Sequence, residues 1–277
     1  MRAIRERFGS DDGTTYEVWR RPTVFPSHRV KYLAYGTVVA LILWSAWAIR
    51  ISPGRFLEGI GATAAFLESM WPPDFGSRER ELIREGITET LAMAVIATII
   101  GVAISLPVAF MAANNLAPWP IYYPARGLIM VSRSFHSLVV GIIVVVAVGF
   151  GPFAGALTLS FATIGFYAKI LAEDLENIDM NQLRAIEAAG GNRLQVLLYG
   201  VVPQALPRMI GLAIYRWDIN VRSSTIIGIV GAGGIGFTLL NAFDRYQYDF
   251  AVAILIVIVA IVLVGELASA LIRRRVR

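Results

Sequence analysis

Three charged side chains, Arg216, Asp218 and Arg222, stand inside an otherwise apolar stretch of this 277-residue sequence. The positions that follow Arg222 supply hydroxyl groups, at Ser223, Ser224 and Thr225. An arginine guanidinium stays charged and donates paired hydrogen bonds to two oxygens of a phosphate-like anion. We therefore predict that Arg216, Arg222 and the three hydroxyl groups line a path for an oxyanion.

Asp218 leaves a second interpretation open, because it precedes Arg222 by four residues. This spacing allows an ion pair along one helix face, in which case Arg222 has a structural role. A charge at the centre of a bilayer costs about 2.5–3.5 kcal/mol, so such side chains usually face a bundle interior or an aqueous cavity. Both interpretations place the charges inside a helical bundle.

A second polar cluster, Arg133, Ser134 and His136, lies in another apolar stretch. Arg133 and His136 are about one helical turn apart and share a face. A transport path must bind its anion weakly enough to release it, and a few spaced donors suit that task. We predict that this cluster also lines the path, although His136 could equally be a packing or hydrogen-bonding residue.

The sequence lacks the residue sets of the common enzyme classes. Cysteine is absent and the two histidines are far apart, so no metal site is predicted. Neither Lys31 nor Lys169 follows a glycine, as a phosphate-binding loop requires. Residues 231–236, GAGGIG, match a dinucleotide-binding pattern, but no acidic residue follows about 20 positions later. We expect neither catalysis nor a cofactor in this chain.

The polar clusters must therefore be positioned by membrane helices. The chain is 56% hydrophobic and only 16% charged. A spanning helix needs about 20 mostly apolar residues, and six segments qualify: 32–49, 87–113, 128–148, 153–171, 209–230 and 251–272. This pattern predicts an all-α integral membrane protein.

Basic residues collect before the first span and after the last one. They are Arg20, Arg21, Arg29, Lys31, Arg273, Arg274, Arg275 and Arg277. Because positive charge favours the cytoplasmic side, both termini are predicted to be cytoplasmic, which requires an even number of spans. The predicted organisation is a cytoplasmic segment 1–31, a retained first span 32–49, an extracytoplasmic segment 50–85 with an interfacial helix near 56–70, a core 86–272, and a basic tail 273–277.

The connection between the fourth and fifth spans, residues 175–203, is predicted to be cytoplasmic and amphipathic. Leu183, Ile186 and Ala189 share one helix face. Two glycines end this helix, and a second helix, 194–199, is expected to run into Pro203. An amphipathic helix can dock by burying its apolar stripe in a partner's groove, although an ordinary solvated loop is the simpler alternative.

This connection resembles the cytoplasmic loop of bacterial ABC importer permeases. The resemblance rests on Gly190, on Pro203 thirteen residues later, and on the Glu-Ala-Ala sequence that begins at Glu187. It implies a coupling helix seated in a cleft of an ATPase subunit. The implied coupling residues are Arg184, Ala185, Glu187, Ala188, Ala189, Gly190, Gly191, Asn192 and Pro203. Arg184 occupies the family's glutamate position, so altered charge contacts are expected.

Further segments, 149–155, 203–207, 215–225 and 228–236, are similar to the phosphonate-importer branch of these permeases. The similarity covers roughly residues 87–272 and implies a type I permease fold. It also implies a permease that passes phosphonate or a related phosphorus oxyanion across the prokaryotic plasma (inner) membrane. Relatives often have proline where this chain has Phe135-His136, so the resemblance does not imply the helix geometry at that point.

The resemblance also implies partners. They are a second copy of this chain, a dimer of ATPase subunits that uses ATP and Mg, an extracytoplasmic phosphonate-binding protein, and membrane lipid, but no nucleic acid. A homodimer is expected because one chain offers about six spans and one coupling loop, whereas such importers need two of each.

An ion-gradient-driven secondary transporter of a small anion is the alternative from another class. Such transporters usually show internal repeats or broken spans in matching halves. No convincing repeat is present in this sequence. A membrane-embedded enzyme would need a converging set of catalytic residues, which the sequence does not offer.

Overall fold

The computed structural model of the chain describes residues 5–9, 15–19, 25, 27–49 and 53–276. Arg20, Arg21 and Arg277, which contribute to the predicted orientation, lie outside these residues. The chain forms two compact units, Met1–Ala65 and Phe66–Arg277.

The first unit contains a hairpin that sequence analysis did not predict. Strands β1 (Arg5–Gly9) and β2 (Thr15–Trp19) pair antiparallel, with Arg5 opposite Trp19. Helix α1 (His28–Ala48) follows and matches the predicted first span. The Ser27 side chain accepts a hydrogen bond from the backbone N–H of Val30 at 3.3 Å and so caps the start of α1.

The remaining elements are helical. In chain order they are α2 (Pro53–Glu68), α3 (Ser77–Met111), α4 (Trp119–Ser134), α5 (Ser137–Val148), α6 (Pro152–Glu176), α7 (Met180–Ala188), α8 (Arg193–Gln195), a π-helical stretch (Val196–Val201), α9 (Val202–Gly228), α10 (Gly234–Asp244) and α11 (Tyr248–Val276). Helix α2 corresponds to the predicted helix near residues 56–70. Its predicted interfacial location stays a prediction.

The described residues contain five helices that are long and apolar enough to cross a membrane, or six if α4 and α5 together form one span. The prediction of a single helix over 128–148 is wrong, because α4 and α5 meet at a bend of 90°. Phe135 and His136 both adopt extended backbone conformations at this bend. His136 Nδ1 accepts a hydrogen bond from the backbone N–H of Leu138 at 3.3 Å, which caps α5.

The predicted fifth span begins much earlier than expected. Helical structure runs without a break from Arg193 to Gly228, so the second short helix expected at 194–199 is the start of this span. Pro203 cannot donate a backbone hydrogen bond. The helix widens into the π-helical stretch immediately before this proline, a local adjustment that occurs within continuous helices.

Close packing of α3 against α6 depends on small residues. A Cβ atom added at Gly101 would lie 2.5 Å from Thr163 Cβ, and one added at Gly155 would lie 2.5 Å from Met93 Sδ. Small residues let helix backbones approach closely inside membranes. This approach brings α6 to the centre of the second unit, where Leu159, Tyr167 and Leu171 are fully buried.

The GAGGIG segment is a glycine turn that follows α9, not a strand, so the dinucleotide pattern lacks its required context. Gly231, Gly233 and Gly234 adopt φ values of 92°, 77° and 72°, which favour glycine. The backbone N–H of Gly151 donates to Gly231 O at 3.1 Å. A Cβ atom at Gly233 would lie 2.6 Å from the backbone nitrogen of Pro152. The turn therefore joins the ends of α5, α6, α9 and α10.

We predict that Gly236→Ala destabilises the protein, because the new Cβ atom would collide with Thr225 O. Overpacking of this kind costs about 1–3 kcal/mol. Gly211→Ala is the matched control, since nothing lies within 4 Å of its added Cβ atom. Thermal unfolding of the purified protein in detergent should give a lower Tm for Gly236→Ala alone. Equal Tm values for the two variants would contradict this packing.

Candidate functional site

A polar cavity of about 400 Å³ brings together the two polar clusters found in the sequence. We call it the polar cavity, and its lining includes Arg133, Ser134, His136, Phe166, Arg216 and Ser223. The bend between α4 and α5 supplies the first three of these residues. Helix α9 supplies Arg216 and Ser223, and α6 closes the wall between them. Two guanidinium groups and several hydroxyl groups thus face one space, which is the chemistry expected for a weakly held anion.

Arg216 is the most constrained member of the polar cavity. Only 6% of its surface is exposed. Its Nε–H donates to Thr163 Oγ1 at 2.9 Å. Its Cζ atom lies 5.2 Å from the centroid of the Phe166 ring, within the range of a cation–π contact. The guanidinium is therefore held at the cavity wall by contacts along its Nε edge and on its face.

Asn220 extends this contact into a layer of hydrogen bonds across three helices. Its Nδ2 atom donates to Thr98 Oγ1 on α3 at 2.9 Å and to Thr163 Oγ1 on α6 at 3.2 Å. We call Thr98, Thr163, Arg216 and Asn220 the polar layer; all four residues are buried. The Asn220 Oδ1 atom finds no partner among the described residues. An unsatisfied buried group of this kind costs about 1–3 kcal/mol. The two hydrogen bonds that Nδ2 donates offset this cost.

Arg222, predicted to contact the anion, is instead paired with Asp218. Its Nη2 atom lies 2.8 Å from Asp218 Oδ2. The Asp218 side chain is only 5% exposed, whereas that of Arg222 is 44% exposed. Among the described residues, Arg222 does not line the polar cavity. The structure therefore contains the Asp218–Arg222 ion pair that gives Arg222 a structural role. Contact of Arg222 with an anion stays a prediction.

Ser224 and Thr225 also lie away from the lining of the polar cavity. Ser224 is buried, and its hydroxyl donates to Val221 O at 2.7 Å within the same helix. Thr225 packs beside Gly236 and is half-buried. Of the three consecutive hydroxyl residues, only Ser223 reaches the polar cavity, because neighbouring helix positions point about 100° apart.

The predicted coupling residues form an exposed group at the opposite end of α9 from the glycine turn. We call the exposed residues of this group from Arg184 to Gly190 the loop surface: Arg184, Ala185, Glu187, Ala188, Ala189 and Gly190. Gly190 has a φ of 86°, and the backbone N–H of Gly191 donates to Ile186 O at 2.9 Å. This is the hydrogen-bond pattern of a glycine-terminated helix end. Helix α7 therefore ends directly before Gly190 and Gly191, as predicted from the sequence.

Asn192 and Pro203 contribute to this region differently from the loop surface. Asn192 Oδ1 accepts from the backbone N–H of Gln195 at 2.9 Å, and Gln195 Oε1 accepts from that of Asn192 at 2.8 Å. This reciprocal cap starts the helix that becomes the fifth span. Pro203 is exposed in the first turn of α9.

The two large residues of the apolar stripe of α7 pack on the chain's own core and only Ala189 is exposed, which corrects the expectation that the whole stripe is available for docking. Leu183 is only 3% exposed and belongs to the core formed with α6 and α9. Ile186 packs against the same core. A Cβ atom at Gly200 would lie 3.2–3.3 Å from these two side chains, so the π-helical stretch already covers the stripe. The loop surface available to a partner is therefore made of charges, alanines and a glycine.

Hydrogen bonds also attach the loop to the start of α9. The backbone N–H of Asp179, the residue that caps α7, donates to Gln204 Oε1 at 2.9 Å. Gln204 Nε2 donates to Gly200 O at 2.8 Å. Arg208, one turn further on, bonds to Asp174 Oδ2 at 2.7 Å. These bonds link the start of α9, the helix that carries Arg216, to the cap of α7 and to the end of α6.

Sequence analysis missed Thr163, Phe166 and Asn220. Asn220 was detectable, because an amide within an apolar span usually has a hydrogen-bonding or functional role. Thr163 and Phe166 carry no such signal, since threonine and phenylalanine are ordinary residues of membrane helices. Their importance depends on their contact with Arg216, which lies 50 or more residues away in sequence.

Known proteins resemble this chain over most of its length. The family profile of binding-protein-dependent transport system inner membrane components matches residues 105–277. The phosphite transport system permease protein PtxC of Stutzerimonas stutzeri is 41% identical over 239 residues, covering 86% of each chain. The phosphate-import permease protein PhnE of Mycolicibacterium smegmatis is 37% identical over 241 residues. This match covers 87% of the present chain but 45% of that relative, so the chain spans about half its length.

A solved structure shares the fold. The methionine ABC transporter MetNI, in an inward-facing conformation, matches 73% of this chain and 100% of its own matched chain with a TM-score of 0.64 and 24% identity. The predicted fold class, an all-α membrane protein of the type I ABC importer permease kind, is confirmed. The assignment of the loop surface to ATPase coupling stays a prediction.

We predict that Arg222→Gln lowers the free energy of unfolding by about 1–3 kcal/mol, because the buried Asp218 carboxylate loses its charged partner. The double variant Asp218→Asn with Arg222→Gln removes both charges and should recover most of this loss. Thermal unfolding of the two variants provides the measurement. A double variant that is as unstable as Arg222→Gln would contradict a structural ion pair.

Proposed function

This chain belongs to the family of binding-protein-dependent transport system inner membrane components, and from this membership we propose that it passes phosphonate or a related phosphorus oxyanion into the cytoplasm as the permease subunit of an ATP-driven importer. The observation that carries the choice of substrate class is the guanidinium of Arg216, held at the wall of the polar cavity beside Arg133 and serine hydroxyls. The relatives' names, which refer to phosphite and phosphate, support the same class.

The proposed assembly contains two copies of this chain, two ATPase subunits and an extracytoplasmic binding protein. The family description, a binding-protein-dependent transport component, supports the last partner. The ATPase subunits bind ATP and Mg and carry out the hydrolysis. We place them against the loop surface, because it is the exposed part of a helix whose other side is tied to α9.

The proposed mechanism is alternating access driven through α9. ATP binding closes the ATPase subunits and displaces α7. The Asp179–Gln204 bond at the cap of α7 transmits this displacement to the start of α9, while the Arg208–Asp174 bond links the same part of α9 to the end of α6. Arg216 follows Arg193 by 23 positions in an unbroken helical path, a length of roughly 35 Å at about 1.5 Å per residue. A displacement at the loop can therefore change which side of the membrane the polar cavity faces.

The polar cavity does not need to bind its anion tightly. The binding protein captures and selects the anion outside the membrane, and the cavity only has to compensate for the anion's lost hydration during transit. Arg216 and Arg133 offset the negative charge, while Ser223 supplies a neutral donor. Weak binding by several donors lets the anion leave on the cytoplasmic side.

We predict that Gly190→Trp reduces binding-protein-stimulated ATP hydrolysis by at least about tenfold, because loss of about 1.4 kcal/mol of docking free energy has that effect. The protein is reconstituted in vesicles with its ATPase and its binding protein loaded with methylphosphonate. Gly190→Ala is the matched control, since alanine introduces the same strain at positive φ but no bulk. Uptake and hydrolysis at control levels in Gly190→Trp would overturn the assignment of the loop surface.

The same vesicles separate the importer from the secondary-transport alternative. We expect methylphosphonate uptake to stop when ATP is omitted and to persist when the proton gradient is dissipated. The opposite result would favour an ion-gradient-driven transporter. Uptake of neither methylphosphonate nor phosphite by the complete wild-type assembly would reject the proposed substrate class.

We predict that the loop surface is cytoplasmic and the glycine turn extracytoplasmic. Because the chain has no cysteine, the single variants Glu187→Cys and Phe150→Cys can each be labelled with a membrane-impermeant maleimide in intact cells. Both positions are exposed. Phe150→Cys should react in intact cells and Glu187→Cys only after permeabilisation. The reverse pattern would invert the orientation.

A further inference from the structure

Arg216 can present two different edges to an oxyanion, and its surroundings leave one of them available. A guanidinium donates either side-on, through Nε and one Nη atom, or end-on, through both Nη atoms. The Nε–H of Arg216 already donates to Thr163 at 2.9 Å. A side-on contact with an anion would have to break this hydrogen bond. The end-on pair of Nη atoms is the edge that remains.

The Thr163 hydroxyl is fixed because all its hydrogen-bonding capacity is used. A threonine hydroxyl has one donor and two acceptor positions. Thr163 donates to Leu159 O at 2.7 Å and accepts from Arg216 at 2.9 Å and from Asn220 at 3.2 Å. The hydroxyl therefore has no alternative orientation that keeps all three bonds, and it offers Arg216 one defined acceptor.

The face of the guanidinium is restrained separately. The Phe166 ring lies 5.2 Å from Arg216 Cζ. It also packs against the Tyr215 ring, with centroids 6.0 Å apart. One contact at Nε and a second contact on the ring face limit both rotation about the side-chain axis and tilt of the plane. Phe166 and Arg216 both line the polar cavity.

We propose that Thr163 and Phe166 are positioning residues that hold Arg216 with its two Nη atoms directed at the transported oxyanion. This inference rests on the proposed function. The end-on fork contacts two oxygens of one tetrahedral anion at the same time, which gives geometric selectivity as well as charge compensation. An arginine free to rotate would keep its charge but lose this alignment, and misplacement of a positioned group is costly to the step that it serves.

The experiment measures the amount of methylphosphonate imported per ATP hydrolysed, in vesicles that contain the complete importer. Thr163→Val keeps the shape of the side chain but removes the acceptor for Arg216. We expect this ratio to fall about tenfold, as for the loss of one hydrogen bond to a charged group, while stimulated hydrolysis continues. Thr163→Ser restores the hydroxyl and should restore the ratio.

Thr158→Val is the matched control. Thr158 lies on the same helix, is fully buried, and donates to Ala154 O at 2.8 Å within that helix. It is not among the residues that line the polar cavity. Its substitution removes a buried hydroxyl without affecting Arg216, so the ratio should match wild type. An equal fall in Thr158→Val and Thr163→Val would overturn the proposal, because any lost hydroxyl would then have the same effect.

A double variant tests the link to Arg216 directly. Arg216→Lys keeps the charge but has no Nε–H for Thr163. If Thr163 acts through Arg216, adding Thr163→Val to Arg216→Lys should lower the ratio no further. Additive losses would overturn the proposal. Should Thr163→Val fail to assemble, Phe166→Leu decides by the same measurement: a lower ratio supports positioning, and an unchanged ratio overturns it.

The outcome remains distinguishable from failure of the proposed function. Wild-type vesicles that hydrolyse ATP but import no phosphorus oxyanion would reject the function and leave no ratio to compare. Wild-type vesicles that import methylphosphonate, together with a Thr163→Val variant of unchanged ratio and unchanged Tm, would retain the function and reject positioning by Thr163.

Discussion

A guanidinium buried among membrane helices needs acceptors for its N–H groups, and Thr163 supplies one to the Nε–H of Arg216. The same hydroxyl accepts from Asn220, which also reaches Thr98. Hydrogen bonds therefore join α3, α6 and α9 at the depth where the polar cavity lies. Gly101 permits the close approach of α3 and α6 at this layer, because a Cβ atom there would collide with the Thr163 side chain. Packing and polar chemistry depend on each other at this point.

The polar layer is joined to the loop surface by one continuous element. The helix that begins at the Asn192 cap contains the π-helical stretch, passes two prolines and carries Arg216 before it ends at Gly228. Its first turns are bonded to the end of α6 and to the cap of α7. The arrangement gives a physical route by which a partner on one membrane face can affect a cavity inside the membrane.

The amphipathic pattern of α7 predicted its apolar face correctly, but it did not predict which surface that face packs against. The periodicity identified the face that contains Leu183 and Ile186, and this face is apolar as expected. It packs on the chain's own core, since the π-helical stretch and α9 reach it first. Likewise, the predicted third span is long and apolar enough to cross a membrane, yet extended residues at Phe135 and His136 divide it by a bend of 90°. Hydropathy does not contain the information needed to locate such a bend.

The amino-acid sequence was sufficient to predict the class of protein, the approximate spans, the polar clusters and the glycine-ended helix α7, because apolar length, intramembrane charge and glycine conformation are local properties. It also offered both roles of Arg222, since the spacing to Asp218 was compatible with each. The packing of the helices shows that Arg222 pairs with Asp218 while Arg216 enters the polar cavity. The same packing makes Thr163, Phe166 and Asn220 neighbours of Arg216 or members of its hydrogen-bond network. The physical reason is that burial and hydrogen-bond partnership depend on distances between helices that are remote in sequence.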